Sequence, residues 1–183
     1  MKKINHTWWM RSLCAVALAV IIGLSVGGST TVLADVSTVE DLTESKPGFG
    51  NVTITSGTLN VRESPTTSSS IIGSLAKGSR VMIVGEAADF YKVMYTTSGD
   101  YGYASKGYIS FVSSSYYLVV KNVDSTSSLT LRAATSTSSS ALAKIPYNGS
   151  LAYYSTDSSG WYQGIYGPAQ GYVSSAYADR KPY

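Results

Sequence analysis

Past residue 50 the chain alternates between apolar and polar positions with a period of two, in short runs cut by turn residues. That is the pattern of β-strands with one buried face. Asn51-Val52-Thr53-Ile54-Thr55 is the first run, and Ser56-Gly57 ends it. Leu59 and Val61 share a face of the next. Pro65 and the Ser/Thr run behind it mark an irregular loop, because proline has no ladder donor and Ser and Thr favour turns. Ile71, Ile72 and Leu75 follow, Lys77-Gly78 makes a turn, and Val81 and Ile83 alternate in another strand. After Gly85–Asp89 come Phe90-Tyr91-Lys92-Val93-Met94-Tyr95 and then Gly102-Tyr103-Ala104-Ser105-Lys106-Gly107-Tyr108-Ile109. No helical period runs through any of them.

The same order of runs then occurs again. Leu59-Asn60-Val61-Arg62, followed by a Ser/Thr loop, returns 70 residues later as Leu129-Thr130-Leu131-Arg132. Ile71-Ile72 corresponds to Ala141-Leu142, and Lys77-Gly78 to Asn148-Gly149 through a one-residue insertion. Phe90-Tyr91 corresponds to Trp161-Tyr162, and Gly102-Tyr103-Ala104-Ser105 to Gly171-Tyr172-Val173-Ser174, with Tyr177 echoing Tyr108. The offset moves from 70 to 71 to 69, so insertions fall in turns; Thr96–Tyr101 is two residues longer than Gly167–Gln170. One module used twice is therefore expected, each with five to seven short strands in about 65 residues. A unit this small buries modest area, and closing its sheet into a barrel removes edges that would otherwise pair with other chains. The expected fold class is all-β: two small barrels in tandem over 51–115 and 116–183, joined by Ser113–Ser115.

The first 34 residues read as a leader rather than as fold. Lys2, Lys3 and Arg11 precede the apolar run Leu13–Val26, and Val32-Leu33-Ala34 offers the small-residue pattern of a cleavage site before Asp35. The run is 14 residues, short of the roughly 20 that span a bilayer. Cys14 stands at its start, the wrong place for a lipid anchor. A signal peptide over 1–34, secretion and no stable membrane insertion after cleavage are expected. Residues 35–50, mildly acidic and without apolar period, read as a flexible linker, too short for an enzyme domain.

Cleavage changes the chemistry. Lys2, Lys3 and Arg11 leave with the leader, so 11 basic residues face 11 acidic ones and the formal charge falls from +3 to 0. A neutral chain gives no electrostatic case for nucleic acid or an anionic membrane surface. His6 and Cys14, the single histidine and cysteine, leave as well. What remains has no disulfide, no Cys–His or Ser–His nucleophile, and no His- or Cys-ligated zinc; no metal or other cofactor is expected. The carboxylates Glu63, Glu86, Asp89 and Asp157 do not pair in the repeat as a glycosidase needs, and read as turn-forming or solvated.

LNVRESP, IIGSLAKGSRVMIVGE, FYKV and GYASKGYI, in that order, resemble the bacterial SH3-like domain, and LTLR, ALAKI, GWYQ and GYVSSAY repeat the series more loosely. The resemblance covers 51–114 and 116–178. It implies SH3-like barrels of short antiparallel strands, secreted by bacteria and working at the cell wall, where such domains often accompany peptidoglycan hydrolases.

Strand alternation nominates the binding residues. Tyr91, Val93 and Tyr95 share the apolar face of their strand, which turns Phe90, Lys92 and Met94 outward. In the second copy Tyr162 and Tyr166 take the inner face, with Trp161, Gln163 and Ile165 outside. Ala104 and Val173 suit the core, so Tyr103 and Tyr172 face out, and Tyr153 faces away from Tyr154. Flat rings with hydroxyl tips suit neutral peptides or sugars. The candidates are Glu63, Phe90 and Tyr103 in the first copy and Tyr153, Trp161 and Tyr172 in the second. Arg62 and Arg132, each closing a strand before a loop, are expected to hold loop carbonyls rather than ligand. The expected function is a non-catalytic tandem module attaching to peptidoglycan, through a wall peptide or cross-bridge. The alternative is an adaptor gripping a peptide of an extracellular protein such as a wall hydrolase, and an autonomous hydrolase is disfavoured by the absent histidine and cysteine.

Overall fold

A computed structural model describes residues 47–183. The expected leader over 1–34, its cleavage site and the linker up to residue 46 lie outside the described residues. The linker's last three positions do not: Gly48, Phe49 and Gly50 already belong to the first strand, and Phe49 is buried.

Seven strands make the first sheet: β1 (Gly48–Val52), β2 (Thr58–Arg62), β3 (Ile71–Ala76), β4 (Arg80–Ala87), β5 (Phe90–Met94), β6 (Tyr101–Ser105) and β7 (Ile109–Val112). Seven more make the second: β8 (Tyr116–Val120), β9 (Ser128–Arg132), β10 (Ala141–Pro146), β11 (Ser150–Thr156), β12 (Trp161–Tyr166), β13 (Ala169–Ser174) and β14 (Ala178–Pro182). The spatial order is β3-β2-β6-β5-β4-β1-β7, and the second sheet repeats it position for position as β10-β9-β13-β12-β11-β8-β14. A single 3₁₀ turn precedes the last strand of each, Lys106–Tyr108 and Ser175–Tyr177. Every strand of the first sheet gives a side chain to one core, from Val52, Leu59 and Val61 through Leu75, Val81, Ile83 and Val93 to Ala104 and Ile109, so the sheet curls into a barrel around it.

The narrowest pairing lies between β2 and β6, which touch through the single pair Arg62–Tyr103; Arg132–Tyr172 repeats it. Glycine is required there. A Cβ on Gly102 would sit 2.5 Å from Val61 Cγ1 and 3.0 Å from the Arg62 carbonyl, and one on Gly171 would sit 2.5 Å from the Arg132 carbonyl. The repeated Gly-Tyr pairs are thus closure points, at which only a residue without a side chain lets the strands meet.

The two copies align differently from the sequence reading. Gly78 donates to Val52 O and Asn148 to Val120 O, with φ of 73° and 60°. Asn148 therefore stands where Gly78 stands, with no insertion before it. The extra residue lies in the next hairpin: Ala87 pairs with Phe90 across a tight turn, whereas Asp157 reaches Trp161 across a longer one.

The two-residue period also misassigned an outer face. Met94 is 2% exposed and Ile165 is fully buried, because that face of each barrel packs against the other. Phe49, Met82 and Met94 join the apolar cluster that contains Leu151, Ala152, Ile165 and Tyr166. Arg80 Nη1 donates to Gln170 Oε1, its guanidinium lies 4.7 Å over the Tyr154 ring, and Tyr154 meets Phe49 at 5.7 Å. Met82 N–H donates to Gly167 O at 3.0 Å. The longer 96–100 turn of the first copy lies against Gly167 and Tyr166, so its additional length serves the contact between barrels.

Candidate functional site

Each barrel carries a groove at the same place, built from the same elements. In the first it has a volume of about 360 Å³. Phe90 and Leu59 form its apolar floor, Thr58 and Asn60 its strand side, Arg62 and Thr67 one wall, and Ser105 and Tyr108 the other. In the second it is about 220 Å³, with Trp161 and Leu129, Ser128 and Thr130, Arg132 and Thr137, and Ser174 and Tyr177 in the corresponding positions. The floor aromatic opens β5 or β12, the exposed tyrosine comes from the 3₁₀ turn, and the threonine comes from the Ser/Thr loop.

The arginines set the loop wall. Arg62 Nη1 donates to Ser69 O at 2.7 Å, and Arg132 Nη1 to Ser139 O at 2.8 Å. Ser69 Oγ accepts from Ser64 N–H at 2.9 Å, and Ser139 Oγ from Ala134 N–H at 3.3 Å. The loop mouth closes through Glu63 N–H to Ser70 O and Ala133 N–H to Ser140 O, both 3.0 Å. A guanidinium spanning seven residues of loop in this way is a structural clamp, and it presents Thr67 or Thr137 to the groove.

Trp161 is positioned by its turn. Asp157 Oδ1 accepts from the Ser159 and Trp161 N–H groups, both at 2.9 Å, and its Oδ2 accepts from Ser159 Oγ at 2.8 Å. These bonds, that from Trp161 first, hold the Asp157 carboxyl below its ordinary range. Phe90 lacks such a cap; its shorter turn instead holds Ala88 at φ 46°, a conformation that costs a non-glycine residue energy. No carboxylate lines either groove. Hydroxyls, two clamped guanidinium groups and aromatic rings leave surfaces suited to uncharged polar ligands with a flat or apolar body.

Of the nominated residues, the structure brings Phe90 and Trp161 to equivalent groove floors. Phe90 is only 7% exposed, so it presents a ring face rather than a protruding side chain, and the fully outward placement is corrected. Tyr103 lies at the β2–β6 seam beside Arg62, and burial raises its phenol pKa. Tyr172 lies at the matching seam, its hydroxyl accepting from Gln163 Nε2 at 3.3 Å. Glu63 is exposed at the loop mouth, and Tyr153 packs among other tyrosines. None of these four lines a groove. Tyr108 and Tyr177 line the grooves without having been nominated; their signal was the repeat itself, which pairs them 69 residues apart.

Two seven-stranded barrels, each with a groove between the loop after its second strand and the turn before its last, define a tandem SH3-like protein. Residues 57–110, within the first barrel, match the family model of the bacterial SH3 domain. Among solved structures, NlpC2 and NlpC1 from Trichomonas vaginalis are each 15% identical with a TM-score of 0.35, over 74% and 78% of this chain and 49% of theirs. An NlpC/P60 family protein from Bacillus cereus is 12% identical with a TM-score of 0.29, over 73% of this chain and 56% of its own. The chain spans about half the length of these proteins. No curated protein matches it. Among the described residues, no helix is long and apolar enough to cross a membrane.

Proposed function

We propose that the protein is exported through the leader at 1–34 and attaches, without catalysing a reaction, to bacterial cell-wall peptidoglycan. The two grooves would take up wall peptide or cross-bridge segments. The observation that carries this reading is the matched pair of grooves. An aromatic floor, an exposed tyrosine and an arginine-clamped hydroxyl wall recur at equivalent positions although the surrounding sequence has diverged. Linings of hydroxyls, aromatic rings and a loop-bound guanidinium fit a polymer of amides and sugars, and two sites on one molecule gain avidity on a repeating polymer even when each is weak.

Sedimentation with purified sacculi tests it. The wild-type protein is expected to pellet. Trp161→Ala, which removes the floor of one groove, is expected to lower the bound fraction severalfold, a stacked aromatic contributing on the order of 1–3 kcal/mol at a binding site. A wild-type protein that stays in the supernatant overturns the wall reading. Sequencing the N-terminus of protein recovered from culture medium checks the leader, with Asp35 the expected first residue.

A further inference from the structure

Outside the grooves, the second barrel carries a cluster that the first matches only in part, through the Tyr91–Phe111 pair and Lys106. Tyr116, Tyr153 and Tyr162 stand in a row, with centroids 6.0 Å and 6.2 Å apart and interplanar angles of 78° and 76°. Arg180 lies over the row, its guanidinium carbon 4.6 Å from the Tyr116 centroid and 5.6 Å from that of Tyr153. Its Nη1 donates to Tyr153 Oη at 3.4 Å, and Thr156 Oγ1 lies 2.9 Å from that oxygen. The neighbouring lysines are committed to an acid: Lys121 and Lys181 both pair with Asp179. Arg180 has no carboxylate partner among the described residues.

The fold does not need this cluster. At the positions of Tyr116, Tyr153 and Arg180 the first barrel has Gly48, Ile83 and Phe111, and only Tyr91 matches Tyr162. The result there is a hollow of about 210 Å³ lined by Ile83, Gly85, Glu86, Tyr91 and Phe111. Its charged lining residue is an acid, and Lys106 sits 3.0 Å from that acid.

We propose that Tyr116, Tyr153, Tyr162 and Arg180 form a second binding site on this barrel, for a ligand ending in a carboxylate. An exposed guanidinium held over rings, with Nη1 on Tyr153, offers its other in-plane donors to a ligand, and a carboxylate is the anion that accepts such donors in pairs. Ring stacking orders the long side chain in advance, so less freedom is lost on binding. The tyrosine row beside it offers an apolar shelf for the residue that bears the carboxylate. This site does not depend on the groove or on the wall reading.

The test is an NMR titration of the protein, following the Arg180 Nε–H and the Tyr153 and Tyr162 ring resonances. The probes are N-acetyl-trialanine with a free C-terminus, its C-terminal amide, and glucuronate. The free peptide is expected to move these resonances saturably while the amide leaves them in place; glucuronate doing the same extends the site to acidic sugars. Arg180→Ala should weaken the peptide roughly tenfold or more, and Arg180→Lys, which keeps charge but loses the fork, should fall between. Because Arg180 is exposed, neither variant removes a core contact. No shift with either carboxylate, or equal shifts with acid and amide, overturns the proposal.

Discussion

Phe90 and Met94 lie on one side of β5, the side that strand alternation assigns to solvent, and both are buried for different reasons. Phe90 is covered by the groove walls of its own barrel, whereas Met94 is covered by the second barrel. Alternation divides the faces of a single strand; it carries no information on what is later laid against either face. Hence the inward residues Val93, Ala104 and Val173 were legible from the sequence and the buried outer ones were not. Met94→Ala should lower stability by about 3 kcal/mol, the usual cost of emptying a buried methionine site. The neighbouring Lys92→Ala should stay within about 0.5 kcal/mol, as surface changes generally do. Denaturant midpoints of the two variants separate these cases. Equal and small shifts would mean that the outer face of β5 is bare.

At the scale of elements, the strands, their succession along the chain and the Ser/Thr loops followed from local pattern, because each copy repeats its own turn chemistry, although the first strand runs over Gly48–Val52 and not 51–55. The register of one turn did not. Asn148-Gly149 invites alignment of its glycine with Gly78, yet asparagine tolerates left-handed φ and takes that position itself. Gly149 is needed for a different reason, since a Cβ there would lie 2.8 Å from the Pro146 carbonyl. The hairpin that absorbs the true insertion hangs on Asp157. Its carboxyl is held below the ordinary value of 3.8, so its contribution is fully present above that value. The contribution disappears as pH falls through the depressed folded value. Acidification should therefore release the Trp161 amide from its bond before the barrel unfolds, visible as a low-pH step in the Trp161 amide shift. Asp157→Asn should remove that step, and a wild-type amide shift that is flat with pH would show that the turn does not depend on the charge.

For the molecule as a whole, the contact between barrels changes how two weak grooves act. Two modules on a free three-residue linker sample many separations, whereas barrels sharing Phe49, Met82, Met94, Ile165 and Tyr166 in one apolar cluster hold their grooves in a fixed relation. Such preorganisation raises the effective concentration of the second groove once the first is filled, provided the ligand's spacing fits. Gly167 is the sensitive point. It has φ 60°, its carbonyl accepts from Met82 N–H, and any Cβ there would collide with the Thr96 carbonyl across the contact. Gly167→Ala should push the barrels apart while leaving the first barrel's core, built within its own sheet, in place. In ¹⁵N relaxation the wild-type barrels should tumble as one body, and in the variant as two with shorter correlation times. Retention on sacculi should then fall although Phe90 and Trp161 are untouched. A variant that still tumbles as one body would show that the remaining apolar contacts hold the barrels without this hydrogen bond. A variant that tumbles as two yet binds as well would show that the grooves act independently.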